Sequence, residues 1–343
     1  MPLTPKEHTS LTEATLLSSL TPDKGSNSRF KARISREWCT QHSVLGGYIT
    51  TLLLSAARKS ISLNLKDLGG DGKEEGKAKY TDPINVFTQF LHAVPPGGML
   101  IECKILRATS RSCVVQAELS LDADQEKKQE QQLAPLLPRP NPIQEGGPAC
   151  IAIATFANLD NETGLTQTPT RTSSSNTNAY KPPNRQTECV PIDDPVVDAT
   201  PVTRKLNWVA PRSRDGLWGH RLGGHQREVW LSFRDGERIL ELGYLALLSD
   251  MPLQPPATHL AGFYNSHALS TLCQSVEFKN RPGPNTQWVL VRSNSQRVVN
   301  GRYDLDVQIL DEDGDILALS HHVVFIMDLN GKTGRGSGRR ARI

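Results

Sequence analysis

Hydrophobic and polar positions divide the chain into two similar halves. In the first half, residues 48–57 (YITTLLLSAA) are apolar around most of a helical surface, which predicts a helix buried nearly all round and entered through Gly46 and Gly47. Four segments with alternating or β-branched apolar residues follow, and this pattern predicts antiparallel strands. These segments are 85–92, 99–107, 111–121 and 149–157.

The second half repeats the order. A strand at 227–233 precedes a helix at 237–249, and further strands are predicted at 272–279, 286–293, 301–311 and 316–327. The sequence DEDGD at 311–315 is a hairpin signal between the last two strands. The pattern therefore predicts an α+β protein in which an antiparallel sheet wraps around a central helix, twice.

Changes in composition mark the boundaries between these units. The polar segment 1–28 is predicted to be a flexible N terminus, and 329–343 a basic disordered tail. The first unit then covers 29–158, with a Gln- and Pro-rich insertion at 123–147, and the second covers 203–328. Residues 159–202 between them are predicted to be a linker, because their first part is rich in Asn, Thr and Ser.

Composition and charge narrow the class of protein. The formal net charge of +3 over 343 residues gives no argument for nucleic-acid binding. The longest apolar run, 48–54, is far short of the ~20 residues that a membrane span needs. Six scattered cysteines without a CxxC pair argue against a disulfide scaffold or zinc ribbon and favour a reducing compartment.

Five segments resemble one known family in the right order. They are GGYITTLLLSAA (46–57), PGGMLIECKILRATSRSCVVQAELS (96–120), WLSFRDGERILELGYLALLSDMPLQPP (230–256), STLCQSVEFKN (270–280) and DEDGDILALSHHVVFI (311–326). Together they resemble the acyl-CoA thioesterase family, and within it the divergent thioesterase-like branch. The resemblance implies a double hotdog fold, meaning two tandem hotdog units that each wrap an antiparallel sheet around a helix.

The resemblance also implies a hydrolytic site. Asp250 falls on the family's catalytic Asp and Thr271 on its Thr, whereas His322 stands where the family has Gln. Water would attack the thioester directly, and backbone N–H groups near Gly46 and Gly47 would polarise the carbonyl.

The implied substrate is an acyl thioester such as acyl-CoA, with coenzyme A as part of the substrate and no separate cofactor. No metal is expected, because no carboxylate or cysteine lies at ligand spacing from His220 and His225. A monomer or a homodimer is compatible with two fused units.

A second chemistry fits some of the same residues. The spacing from His42 to Gly46 matches the HxxxG of double hotdog dehydratases, and Asp250 to Gln254 matches their DxxxQ. Such a pair would act as base and acid in dehydration, isomerisation or cyclisation, in a specialised-metabolite pathway that the inserts also suggest. A non-catalytic protein that binds acyl thioesters is the third hypothesis. Asp250 could also be an ordinary solvated carboxylate at a helix end.

Two further expectations come from neighbouring residues. His321 and His322 lie in an alternating strand, so they should face opposite sides of the sheet, and only one can reach the helix. The C-terminal Ala341-Arg342-Ile343 is close to a peroxisomal targeting tail, so the chain is expected in the cytoplasm or the peroxisome.

Overall fold

The computed structural model describes residues 9–20, 27–41, 43–64, 79–122, 147–167, 181–212, 225–259 and 262–329. Some parts of the sequence-based prediction lie outside these ranges. They are residues 1–8 and 21–26 of the N-terminal segment, His42, all but the last residue of the insertion 123–147, residues 168–180 of the linker, and the basic tail beyond residue 329 with its terminal Ala341-Arg342-Ile343.

One antiparallel sheet runs through both halves of the chain. Its strands within the described residues are β1 (Ser18–Ser19), β2 (Asn27–Ile34), β3 (Asp82–Phe90), β4 (Gly97–Ala108), β5 (Cys113–Leu121), β6 (Cys150–Ala157), β7 (Cys189–Pro191), β8 (Leu206–Pro211), β9 (Gln226–Phe233), β10 (His267–Phe278), β11 (Val289–Asn294), β12 (Val298–Val299), β13 (Arg302–Leu310) and β14 (Ile316–Asp328). Their order is β1-β2-β4-β5-β6-β3-β10-β14-β13-β11-β9-β8-β7, and β12 pairs with β13. The two halves join where β3 pairs with β10.

Two helices, one from each half, pack against the sheet and against each other. The helices are α1 (Leu11–Ala14), α2 (Gly46–Leu63), α3 (Leu242–Ser249), α4 (Pro255–His259) and α5 (Phe263–Ser266). Of these, α2 buries 12 of its 18 residues and α3 buries all eight, as their apolar sequences predict. None of the helices in the described residues is long and apolar enough to cross a membrane.

This architecture confirms the predicted fold class. The first unit combines α2 with β2 to β6, and the second combines α3 with β8 to β14. Each strand predicted from the pattern is present within a few residues of its expected bounds, and the turn at 311–315 joins β13 to β14. The prediction did not include β2 and β8, although β2 alternates buried and exposed residues along its whole length.

The helix predicted at 237–249 begins five residues later, at Leu242. The Ile239 amide donates a hydrogen bond of 2.8 Å to the Thr286 carbonyl, and the Ile239 side chain is fully buried. These contacts hold the residues before α3 outside the helix. The tertiary position of Ile239 therefore overrides the local helical preference.

Residues 9–20 are ordered, although they belong to the segment 1–28 for which the sequence predicted flexibility. Residues 9–20 form α1 and β1, and Leu11 is fully buried. The Glu237 carboxylate accepts hydrogen bonds from the first amides of α1, at 2.6 Å from Leu11 N and 3.0 Å from Thr12 N. The Tyr48 hydroxyl donates to the Ala14 carbonyl at 2.7 Å. These contacts tie residues 9–20 to both units, which a composition-based prediction does not register.

The predicted linker 159–202 also contributes to the sheet. Its β7 pairs with β8 at the far edge of the second unit. The Trp230 indole N–H donates to the Pro183 carbonyl at 3.1 Å, so residues before β7 are also held on this unit. The second unit therefore begins within the segment predicted as a linker.

Candidate active site

Asp250 follows the last residue of α3 and turns back toward the first unit. Pro252 comes two residues later and disfavours continuation of the helix. The Asp250 side chain is 8% exposed, and its Oδ2 accepts a hydrogen bond of 2.7 Å from the Gly47 amide in the first turn of α2. The N-cap residue of α2, Leu45, gives no side-chain cap. Asp250 therefore caps α2 from the other half of the chain.

The two glycines at the start of α2 permit this close approach. A Cβ atom on Gly47 would lie 2.6 Å from both the Ala246 carbonyl oxygen and Asp250 Cβ, and one on Gly46 would lie 2.9 Å from Phe90 Cζ. Only glycine fits where α2 meets α3. The amides of Gly46 and Gly47 were predicted to polarise a substrate carbonyl, whereas the Gly47 amide donates to Asp250.

His322 lies on the inner face of β14, directed at the helices. Its side chain is fully buried, whereas His321 is exposed and lies 2.7 Å from Asp306 through Nδ1 and Oδ1. This confirms that the two histidines face opposite sides. His322 Nδ1 lies 3.6 Å from Asp250 Oδ1, and it has no hydrogen-bond partner within the described residues.

Hydrogen bonds on the other side of the imidazole fix its neutral tautomer. The Ser320 hydroxyl lies 2.9 Å from the Ser275 carbonyl oxygen, which can only accept, so Ser320 donates its proton there. Ser320 Oγ must then accept from His322 Nε2, which lies 2.8 Å away. A neutral His322 therefore carries its proton on Nε2 and presents the Nδ1 lone pair to Asp250.

Burial shifts the pKa values of both Asp250 and His322. It raises the pKa of Asp250 to about 7, with the Gly47 amide acting in the opposite direction. Burial, with a smaller contribution from the charge of the neighbouring His321, lowers the pKa of His322 to about 3. At neutral pH the imidazole is uncharged, and Asp250 is close to the midpoint of its titration. Asp250, the more basic group of the pair, is therefore poised to accept a proton near physiological pH.

Thr271 shares the inner face because of a β-bulge. It lies opposite Val324 on β14, and Gln274 lies opposite His322, with a register shift between Thr271 and Cys273. Residues directly opposite each other project to the same face, so Thr271 and His322 do so as well. Simple alternation would place Thr271 and Gln274, three residues apart, on opposite faces. The bulge redirects the threonine toward the face that carries the candidate site.

Gln254, the remaining predicted site residue, holds the loop after Asp250. Its Oε1 accepts a hydrogen bond of 2.6 Å from the Tyr303 hydroxyl on β13. One residue earlier, the Leu253 carbonyl accepts from the Ser293 hydroxyl at 2.9 Å. Both bonds fix the loop that carries Asp250 against the sheet of the second unit.

Gln274 and Ser320 were not predicted as site residues. Gln274 is fully buried: its Nε2 donates to the Ala246 carbonyl at 3.0 Å and to the Ser249 hydroxyl at 2.8 Å, and its Oε1 accepts from Thr50 at 2.9 Å. It thus holds the last turn of α3, which positions Asp250. One signal in the sequence could have indicated this role: Gln274 is a polar residue at the same alternating positions of β10 as the buried Val276 and Phe278.

The alternative acid–base pair involves a residue outside the described ranges. The dehydratase hypothesis pairs Asp250 with His42, which lies outside the described residues. Within the part of the chain that the structure describes, no three His, Cys, Asp or Glu side chains are grouped as metal ligands.

Both halves of the chain match sequence models of known domains. Residues 34–157 match the acyl-CoA thioesterase N-terminal domain, and residues 186–326 match the acyl-CoA thioesterase C-terminal domain. The thioesterase-like protein TwmA of Talaromyces wortmannii is 36% identical over 69 residues, an alignment that covers 20% of this chain and only 20% of that protein.

Solved structures extend the likeness over most of the chain. A hot dog fold protein of unknown function from Alicyclobacillus acidocaldarius superposes with a TM-score of 0.64 at 16% identity, covering 92% of this chain and 97% of that one. The acyl-CoA thioesterase II TesB2 of Mycobacterium marinum gives a TM-score of 0.60 at 14% identity, covering 93% and 98%. At these identities the likeness establishes the fold alone, and it agrees with the predicted double hotdog.

Proposed function

The chain belongs to the acyl-CoA thioesterase family, and from this premise we propose that it hydrolyses acyl-CoA thioesters by direct attack of water. The observation that carries the proposal is the buried pair of Asp250 and His322, whose Oδ1 and Nδ1 atoms face each other 3.6 Å apart. At this distance the two atoms do not bond to each other, but one water molecule can donate a hydrogen bond to each.

The proposed step begins with that water. Its oxygen forms a bond to the thioester carbonyl carbon while one of its protons passes to Asp250 Oδ1, the more basic atom of the pair. His322 Nδ1 accepts a hydrogen bond from the other proton of the water and orients it. The tetrahedral intermediate then collapses, the C–S bond breaks, and the leaving sulfur takes the proton from Asp250. The products are the carboxylic acid and free coenzyme A.

Two other groups assist in this proposal. The first turn of α2 has backbone N–H groups without intrahelical acceptors, and Asp250 occupies the one at Gly47. The amide of Gly46 is assigned to the carbonyl oxygen, where its partial positive charge stabilises the developing oxyanion. Thr271, on the inner face of β10, is assigned to donate a hydrogen bond in the same space.

Release of free thiol from a panel of acyl-CoAs tests the function. Substitution Asp250→Asn keeps an oxygen to accept from the Gly47 amide but removes the basic carboxylate, so kcat/KM is expected to fall about 1,000-fold. Asp306→Asn is the matched control, because Asp306 contacts the exposed His321 and should leave turnover unchanged. If the wild type releases no more thiol than Asp250→Asn at any acyl length, the proposed function is wrong.

A further inference from the structure

The inner face of the sheet is open at one end of the candidate site. Along β3, the inner-face residues Val86 and Thr88 are fully buried, whereas Phe90 at the end of the strand is only partly buried. The same change occurs on the neighbouring strands, where His322 is fully buried and Thr271 stays partly exposed. This end of the inner face is therefore the side from which a substrate can reach the buried pair.

Phe90 lies next to Thr271, where β3 of the first unit pairs with β10 of the second. Gln89, the residue before Phe90, lies opposite Cys273, and its Nε2 donates a hydrogen bond of 2.9 Å to the Leu272 carbonyl. Phe90 is thus beside the bulge that turns Thr271 toward the inner face. The two side chains occupy neighbouring positions on that face.

The ring of Phe90 also adjoins the first residue of α2. A Cβ atom on Gly46 would lie 2.9 Å from Phe90 Cζ, 3.3 Å from Phe90 Cε1 and 3.2 Å from Asp250 Oδ2. The ring edge and the carboxylate thus flank the same point beside Gly46, with no room for a side chain between them. Gly46 is itself partly exposed, whereas Gly47 is buried, so Gly46 borders the open space that the ring faces.

The proposed hydrolysis brings the thioester into this space. Its carbonyl oxygen accepts from the Gly46 amide, and the water that attacks its carbon lies between Asp250 and His322. The carbonyl group is then close to the ring of Phe90, and either the sulfur or the acyl α-carbon must face the ring. The acyl chain continues as hydrocarbon, whereas the thiol arm carries an amide, so burial against an aromatic ring favours the acyl side.

We propose that Phe90 sets the acyl specificity of the site: its ring packs against the acyl α-carbon and excludes acyl groups that are branched there. The exclusion is steric, because the ring edge already meets Gly46 and a methyl branch would have to displace it. The substrate class is then an acyl thioester without a branch at the α-carbon. The inference rests on the proposed function, because it concerns the acyl end of that substrate.

Hydrolysis of hexanoyl-CoA and of 2-methylhexanoyl-CoA tests the role of the ring. The wild type is expected to prefer the unbranched thioester about tenfold or more in kcat/KM, the usual effect of one methyl group in a packed site. Phe90→Ala should reduce this preference to about twofold or less by faster hydrolysis of the branched thioester. Phe90→Leu, which keeps an apolar side chain at this partly buried position, should fall between the two. Phe87→Ala, on the exposed outer face of the same strand, is the matched control and should keep the wild-type preference.

Binding of unreactive ketone analogues separates this inference from the proposed function. The probes are 2-oxoheptyl-CoA and 3-methyl-2-oxoheptyl-CoA, in which a methylene group between the sulfur and the carbonyl carbon prevents hydrolysis. If the wild type hydrolyses neither thioester but binds the unbranched ketone more tightly, and Phe90→Ala removes this preference, the role of Phe90 stands and the proposed function fails. If the wild type shows no preference in either assay, or Phe90→Ala keeps the same preference as Phe87→Ala, the role assigned to Phe90 is wrong.

Discussion

Two histidine–aspartate pairs lie on opposite faces of β14, and they differ more in surroundings than in composition. The outer pair, His321 and Asp306, is about half exposed, with Nδ1 and Oδ1 2.7 Å apart. The inner pair, His322 and Asp250, is 0% and 8% exposed, with the same atoms 3.6 Å apart. The shorter contact is thus on the surface, where water and ions screen it and an ion pair contributes little.

The comparison shows that burial, and not proximity, produces the unusual chemistry here. Desolvation moves the pKa of Asp250 up to about 7 and that of His322 down to about 3. The inner pair is also held from three sides, by Gly47, by Ser320 and by the loop of Gln254. The outer pair therefore serves as an internal control for every test of the inner one.

Replacement of each histidine by leucine should give a large contrast between the two pairs. His322→Leu removes the nitrogen that accepts a hydrogen bond from the attacking water, and we expect kcat/KM for thiol release to fall about 100-fold. His321→Leu should stay within about twofold of the wild type, because surface substitutions rarely disturb a distant buried site.

His322→Gln sharpens this test. The family that the chain resembles has Gln at this position. The amide of Gln can hold a water molecule, although it cannot accept a proton from that water. We therefore expect partial recovery relative to His322→Leu. Equal activity of the two variants would contradict a role for the side chain in holding water, and a larger loss in His321→Leu would contradict the comparison itself.

The inner pair depends on the contact between α2 and α3, and the outer pair does not. Substitutions of Gly47 on α2 and Gly243 on α3 test this difference. Gly47→Ala would place a Cβ 2.6 Å from the Ala246 carbonyl oxygen, so the helices must separate and Asp250 must move. We expect about a tenfold or greater loss of kcat/KM and a destabilisation of about 1–3 kcal/mol, measured by denaturant unfolding.

Gly243→Ala is the control on the facing helix. Its Cβ would lie 3.7 Å from Thr51 Cγ2, an ordinary contact, so this variant should keep its activity and gain some helix stability. Equal losses in the two variants would show that the crossing does not depend on the fit at Gly47.

The pH dependence follows from the raised pKa of Asp250. The basic form of the pair requires an ionised carboxylate, so kcat/KM should rise about tenfold between pH 6 and pH 8, with its midpoint near pH 7. Asp306→Asn should leave the midpoint where it is. A profile that is flat over this range would exclude Asp250 as the titrating group.

The same shift has a consequence for stability. The folded state retains the Asp250 proton up to about pH 7, whereas the unfolded chain loses it near the ordinary pKa of 3.8, so this group makes stability fall as pH rises between the two values. Asp250→Asn should therefore unfold at a higher temperature than the wild type at pH 8, and this advantage should shrink toward pH 4.

The sequence predicted the fold well because its signals are local. Periodicity identified α2 and most strands, and the DEDGD turn set the last hairpin. The β2 strand was missed, although its eight residues alternate buried and exposed, because Arg and Lys fill its exposed positions and give it a polar composition. The ordered segment 9–20 was missed because its order comes from Glu237 and Tyr48, which are distant in sequence.

The candidate site was predictable only in part. Resemblance selected Asp250, Thr271 and His322, and alternation separated His321 from His322. No local pattern indicates that the Gly47 amide contacts a carboxylate 203 residues away, or that a bulge turns Thr271 toward the inner face. Gln274 and Ser320 acquire their roles through neighbours on other elements, which appear only after the sheet register is known.

Ser320 gives the smallest expected effect and the most specific test of the inner pair. Ser320→Ala removes the acceptor for His322 Nε2–H, which would leave a buried donor unsatisfied at a cost of about 1–3 kcal/mol. The imidazole can avoid this cost by moving its proton to Nδ1, where it would donate to Asp250. We then expect a loss of only a few-fold in kcat, because a population with the proton on Nε2 persists.

The pH profile distinguishes this positioning role from a structural one. A hydrogen bond donated to the Asp250 carboxylate favours its ionised form, so the midpoint of kcat/KM in Ser320→Ala should move below that of the wild type. Ser320→Thr keeps the hydroxyl and should restore the wild-type midpoint. If Ser320→Ala lowers activity and leaves the midpoint unchanged, Ser320 only packs the site, and the tautomer of His322 does not depend on it.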